Sequence, residues 1–350
     1  MNASMSAQRA RLSDGRWHFQ HGPIDIVIGA QGEPVAVKQA HQAAWLRFGT
    51  VLEELVGELP VLRQAIPAMP SRSLDCGDTA PPPFPQPLRG TIAQRMWHAC
   101  APYSAGFITP MAAVAGAVAQ ELIACYARPG IERAWVNNGG DIALHLTPGQ
   151  SARVGLFADL ADLDAALGDV LGDALGDACG GVPGLQGLQG VRCREGLATH
   201  AQCEIGFEMP VRGIATSGWR GRSFSLGIAD SVTVLAKTAA MADAAATVIA
   251  NAVNVAHPGI VRRPACEIRD DSDLGVMLVT LDVPRLPHDH IRRALVAGRR
   301  EAESLQQRGL IDSAVLVCQG QWMQVGRQSG VLADSFMQVA SLARSGPVFA

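Results

Sequence analysis

The sequence predicts a mixed α+β fold. Two observations carry that reading. Short runs with alternating apolar residues come in pairs around turn residues, as at 17–30, 132–146 and 311–326. Longer runs between them place apolar residues at helical spacing, as at 35–66 and 238–256. Of the 350 residues, 48% are hydrophobic and 17% charged, which is ample for a buried core and excludes a generally disordered chain.

The elements follow in order. Residues 1–12 are polar and expected to fray. The run 17–30 reads as a strand pair around His21-Gly22-Pro23. A helix is expected over 35–66, broken or ended by Pro60. The proline-rich stretch 67–88 reads as a surface loop, and 91–101 as a short helix. Thr109 and Pro110 form an N-cap and first-turn pair for a helix over 111–127 rich in small residues. Residues 132–146 read as two strands around the turn Asn137–Asp141. An insertion spans 159–204, with an acidic helical run and then the repeat GVPGLQGLQG. Residues 205–236 have strand character at both ends and a Gly/Ser/Arg centre. A helix over 238–256, a strand over 276–283, a helix over 287–308 and a closing hairpin follow, and 326–350 is a variable tail.

Charge and targeting narrow the function. The net charge of −3 argues against a nucleic-acid binder, which needs a basic field. Charges or glycines interrupt every apolar stretch before about 18 residues, so no membrane span is expected. The N-terminus lacks the apolar core of a signal peptide, so a cytoplasmic chain is expected. Eight scattered cysteines without a C-x-x-C pair fit a reducing compartment. Cys193, His200 and Cys203 are the closest approach to a metal cluster, against the plainer reading of a loop with incidental thiols. Residues 184–190 are spaced G-x-x-G-x-x-G, not as a dinucleotide fingerprint.

Chemistry concentrates at three glycine-rich places. Asn138, Gly139, Gly140 and Asp141 form a turn whose amides can face an anion. Arg212, Arg220 and Arg222, with Ser217, Gly218 and Ser223 between and beside them, can clamp a phosphate or carboxylate; the alternative is a solvated arginine face. Asp243 and Thr247 are i and i+4 on one helix and share a face, suited either to a hard cation such as Mg²⁺ or to a structural hydrogen bond. Asn251 and Asn254 extend that polar stripe. No G-x-S-x-G motif occurs, and Ser217 has only His145 and His200 as nearest histidines for a serine-hydrolase reading.

The runs VNNGGDIAL (136–144), TSGWRGRS (216–223) and SVTVLAKTAAMADAAATVIANAV (231–253) resemble the ApbE-type flavin (FMN) transferases, and Ser104–Pro110 is similar to their approach to a helix. The closer resemblance is to an uncharacterised bacterial and archaeal family related to those enzymes, carried by RLSDGRWHFQHGPIDIVI (11–28) and GIATSGWRGRS (213–223) and spanning about 11–325. The resemblance implies a T-fold-like pair of duplicated α/β halves in one domain over 13–325. It also implies Mg²⁺ at Asp243 and Thr247, and FAD or FMN at Thr109, Asn138–Asp141, Gly218, Arg220, Arg222 and Ser223. A flavin-accepting protein partner and a homo-oligomer belong to the same expectation. The transferases' His-Ile-x-Asp-Pro-x-Thr-Gly motif is missing: 223–230 runs straight into the next strand. That leaves Asp230, with Ser217, as the candidate catalytic groups. Two readings stand open: a Mg²⁺-dependent flavin or nucleotide enzyme, and a non-catalytic protein that binds a flavin or small anion in the same cleft.

Overall fold

The computed structural model describes residues 6–68, 88–156 and 201–326. Most of 67–88 and 159–204, the glycine run 184–190, Cys193, His200 and the tail beyond 326 lie outside the described residues.

The chain opens with β1 (Gln8–Arg11), where the sequence suggested fraying. Arg9 explains the order: its guanidinium stacks over Trp17 at 5.3 Å and Trp45 at 4.9 Å. Strands β2 (Trp17–His21) and β3 (Ile24–Gly32) form the expected hairpin over Gly22-Pro23. Helix α1 (Pro34–Leu62) starts with proline in its first turn and keeps Pro60 inside its last one. Pro60 does not end the helix, because Arg63 N still reaches Leu59 O at 3.0 Å. Helix α2 (Thr91–Cys100) follows, and then α3 (Val114–Ile123), flanked by short 3₁₀ turns at 110–113 and 124–126. The continuous helix expected over 111–127 is thus divided into three pieces.

Strands β4 (Ile131–Asn138) and β5 (Asp141–Leu146) form the second expected hairpin. Strands β6 (Ser151–Leu156) and β7 (Ala201–Gly206) pair with each other. Then come β8 (Gly213–Ser217), β9 (Ser231–Ala236) and α4 (Ala239–Ala252), which stops four residues before the expected end. A side hairpin follows: β10 (Val261–Pro264), the short α5 (Ala265–Ile268) and β11 (Leu278–Asp282). Helix α6 (His288–Gln307) and the hairpin β12 (Ser313–Cys318) and β13 (Gln321–Val325) complete the fold.

Nine strands form one antiparallel sheet in the order β1-β2-β3-β4-β5-β8-β9-β12-β13. The connectivity repeats: strand pair, helices, strand pair gives β2-β3-β4-β5, and the same plan gives β8-β9-β12-β13. The α+β class therefore holds, with six α-helices among the described residues. Side-chain alternation sorts the two faces. On β9 and β12, Val232, Val234, Ala314 and Leu316 join the helices in the main core. Their neighbours Leu235, Val315 and Val317 point to the opposite face, where the β6–β7 hairpin covers them with Val154, Cys203 and Ile205. No helix among the described residues is long and apolar enough to cross a membrane.

Candidate functional site

The site forms where the two strand-helix-strand units meet. Gly139 and Gly140 close the β4–β5 hairpin with φ of 64° and 107°, and Asn138 pairs with Asp141. A two-residue hairpin of this kind needs positive φ at both central positions, hence the diglycine. Asn137 Oδ1 accepts from Gly140 N at 2.8 Å, and the buried Asn138 donates through Nδ2 to Ala115 O at 3.1 Å. The Arg222 guanidinium occupies the space where a side chain on residue 139 would start. Buried Asp141 accepts from Thr216 N at 3.3 Å.

Helices α3 and α4 supply the other wall. Alanines fill α4, and Gly116 of α3 rests on the Ala239 backbone, so the helix axes come close. Asp243 Oδ2 then accepts from Gly116 N at 2.9 Å. It stands at the first turn of α3, where amides lack helical partners and the dipole is positive.

Both carboxylates are held above the ordinary carboxylate range. Burial raises Asp243 to about 7, against the pull of the Gly116 and Ala115 amides. As a residue Asp243 is half-buried, with protein packed around its carboxylate. Asp141 is pushed well up, first by burial and next by the negative charge of Asp243; the Thr216 amide and Arg222 act the other way. The surroundings therefore disfavour two negative charges on the pair, and each acid tends to keep its proton.

That imbalance is the chemistry of the site. Two such carboxylates can share a proton or grip a cation. Among the described residues, no three His, Cys, Asp or Glu side chains converge on one point. Mg²⁺ needs no such cage: it is commonly held by one or two carboxylates, its own waters and substrate phosphates. Asp141 and Asp243 fit that use, with Thr247 one turn further along α4.

Several expected residues have other duties. Asp230 accepts from the Trp219 indole at 3.2 Å and from the Gln319 amide. Asp230, a candidate catalytic group, thus links the arginine turn to the β12–β13 turn. Ser217 ends β8 beside Thr216, while Gly218 lies against the Asp230 carbonyl, where no larger residue fits. Thr109 does not cap the following turn through its side chain; its hydroxyl donates to Asp273 at 2.5 Å. Arg220 and Ser223 are exposed, and Arg220 stacks over Trp219 at 4.8 Å. Asn251 and Asn254 hold Leu226, through its amide at 2.8 Å and its carbonyl at 2.9 Å.

Arg212 leaves the clamp altogether. It donates to the carbonyls of Phe207, Met209 and Val211 at 2.6–2.8 Å. Arg212→Ala is expected to cost about 1–3 kcal/mol in urea unfolding while leaving anion titrations unchanged. A loss of anion affinity at unchanged stability would return it to the site.

Two surface depressions lie elsewhere. One of about 680 Å³ opens among Glu54, Glu58, Arg89 and Glu121; one of about 240 Å³ lies between His98, Gln120 and Met241. Asp273 is a partner that the sequence did not single out; Gly116 belongs to the run of small residues in 112–119 that marked this helix for close approach, though not as a partner of Asp243.

Fold and site together define an α+β protein with a buried acidic pair where two repeated units join. The chain belongs to the family described as AbpE bacteria, whose model matches residues 9–324. It is 34% identical over 182 residues to a UPF0280 protein of Methanopyrus kandleri, covering 51% of this chain and 56% of that protein. A UPF0280 protein of Methanospirillum hungatei is 30% identical over 207 residues, covering 57% and 67%. One of Methanococcus maripaludis strain C6 is 36% identical over 161 residues, covering 45% and 51%. The chain thus spans about half to two thirds of the length of these relatives. This corrects the expected kinship with ApbE-type flavin transferases. The matching family is AbpE bacteria, and the relatives' names state neither a flavin nor a transferase. The T-fold name rested on that kinship alone.

Proposed function

We propose that the chain is a Mg²⁺-dependent enzyme acting on a nucleotide-type diphosphate, with FAD the first substrate to test and hydrolysis or transfer yielding FMN as the reaction. The observation that carries this is the undercompensated pair Asp141 and Asp243 beside Arg222 and the diglycine turn. The carboxylates would hold the metal, and Arg222 with the turn amides would hold phosphate oxygens. A bound Mg²⁺ would neutralise phosphate charge. In hydrolysis one water adds across the P–O–P bridge, giving FMN and AMP. The chain's own part is positioning and electrostatics, which carry most of phosphoryl transfer.

A second reading is a binding protein for a flavin or small anion with the same groups. It is favoured by the duties of Asp230, which leave no base assigned beside the pair. Chromatography of FAD incubated with the protein, with and without Mg²⁺, separates the two. Formation of FMN only with Mg²⁺, abolished in Asp243→Ala, supports the enzyme. FAD binding without turnover supports the second reading, and absence of both rejects flavin. Arg222→Ala is expected to weaken binding of FAD or pyrophosphate about tenfold, or about 1.4 kcal/mol, by calorimetry. Unchanged affinity removes Arg222 from the site.

A further inference from the structure

The side hairpin 261–282 stands apart from the rest of the fold. No residue within it belongs to either hydrophobic core cluster. Its base is anchored: Thr280 N donates to Ser225 O at 2.8 Å, and Arg262 to Asn254 Oδ1 at 2.6 Å. Its tip, 265–277, makes its backbone hydrogen bonds internally, such as Ala265 N to Met277 O at 2.9 Å and Cys266 N to Gly275 O at 2.8 Å. From 266 to 278 no residue is buried, and Val276 is 81% exposed.

Side chains alone tie this tip down. Asp273 accepts from Thr109, Asp271 pairs with Arg63 at 2.7 Å, and Arg269 stacks over Phe224 at 5.2 Å. The anchor points matter. Thr109 leads through the 110–113 turn to Ala115 and Gly116, whose amides hold Asp243. Phe224 follows two residues after Arg222. The tip therefore bridges the two chain segments that carry the acidic wall and the arginine wall.

We propose that residues 265–277 are a lid over the join between those walls, latched by Asp273 on Thr109 and by Arg269 on Phe224, which swings on its β10–β11 base to admit a phosphate-bearing ligand. The ligand part rests on the function proposed above; the latch does not. A segment without core contacts, held by a few side-chain ties, opens at low cost. Lids over sites of this kind shut out water once the ligand is in place.

Limited trypsin digestion of the full chain tests the latch without any ligand, because Arg269 is an exposed cleavage site in the tip. Cleavage of a transiently open segment follows its open population, so Asp273→Ala should speed cutting after Arg269 about tenfold, with other sites unchanged. Thr109→Val should do the same; because Thr109 is buried, its melting curve is taken beside it. An Asp273→Ala protein cut at the wild-type rate overturns the lid. The second arm uses Mg²⁺ with inorganic pyrophosphate. Where calorimetry shows binding, cutting after Arg269 should slow; binding without slowing also overturns the lid. If pyrophosphate does not bind, the functional proposal loses its ligand, and the first arm still decides the latch.

Discussion

Asp243→Asn is expected to gain stability over the wild-type chain as the pH rises, by about 4 kcal/mol at most between pH 4 and pH 8 in chelator-treated protein. The folded chain raises Asp243 from 3.8 to about 7. Between those values the folded state holds a proton that the unfolded state has released, so wild-type stability falls as the pH rises through that window and levels off above 7. Three pKa units at 1.36 kcal/mol each give the stated ceiling. Asparagine mimics the protonated carboxyl and keeps an acceptor for Gly116 N. The half-buried His41, lowered to about 4, works in the opposite direction below pH 6.5, and a comparison of the two proteins at each pH cancels it. Urea unfolding at pH 4, 5, 6, 7 and 8 measures the difference. A constant difference would mean that the carboxylate is already compensated, and the case for a cation there would fall. Added Mg²⁺ should stabilise wild type at pH 8 and leave Asp243→Asn unchanged.

Gly116→Ala should destabilise the chain by about 3 kcal/mol, the upper end of the usual cost of forcing atoms into a packed interior. Intrinsic helix preference points the other way: alanine in place of glycine gains about 1 kcal/mol in an open helix. The sign of the result therefore decides whether contact or propensity rules at this position. The added methyl would meet the Ala239 carbonyl, which is backbone and cannot rotate aside. α3 and α4 would have to separate, and Asp243 would lose the amides that hold it. Denaturant midpoints measure the loss, and a variant as stable as wild type would show that the helices are not in close contact.

Much of the fold was legible in the sequence because its elements are marked by strong local signals. The diglycine between two alternating runs gives the β4–β5 hairpin, and the alanine-rich run gives α4. Where reading failed, tertiary contact had overruled a local rule. Polar β1 is ordered by Trp17 on the neighbouring strand and by Trp45, distant in sequence. Pro60 sits in the last turn of α1, and the helix runs past it to Leu62. The site was legible in part. Asp141 and Asp243 were both marked, but as a flavin contact and a metal ligand with Thr247. Their mutual effect needs a fold that brings residues a hundred positions apart together. Arg212 looked like a clamp residue because spacing shows neighbours in sequence, not which carbonyls claim a side chain, and the indole and amide that Asp230 holds were equally invisible there.

The seam between the repeated units has a mechanical side. β5 and β8 pair at only two positions, Ile142 with Ile214 and Ala143 with Gly213, whereas β8 and β9 pair at five. The sheet is thus thinnest in the middle, and the α3–α4 contact at Gly116 splints it there. Asp141 belongs to the first unit and Asp243 to the second, one on each side of that weak line. Any twist of one unit against the other changes the gap between the two carboxylates, so the acidic pair is also a gauge of strain in the sheet. Anything that grips both acids rivets the halves of the protein together.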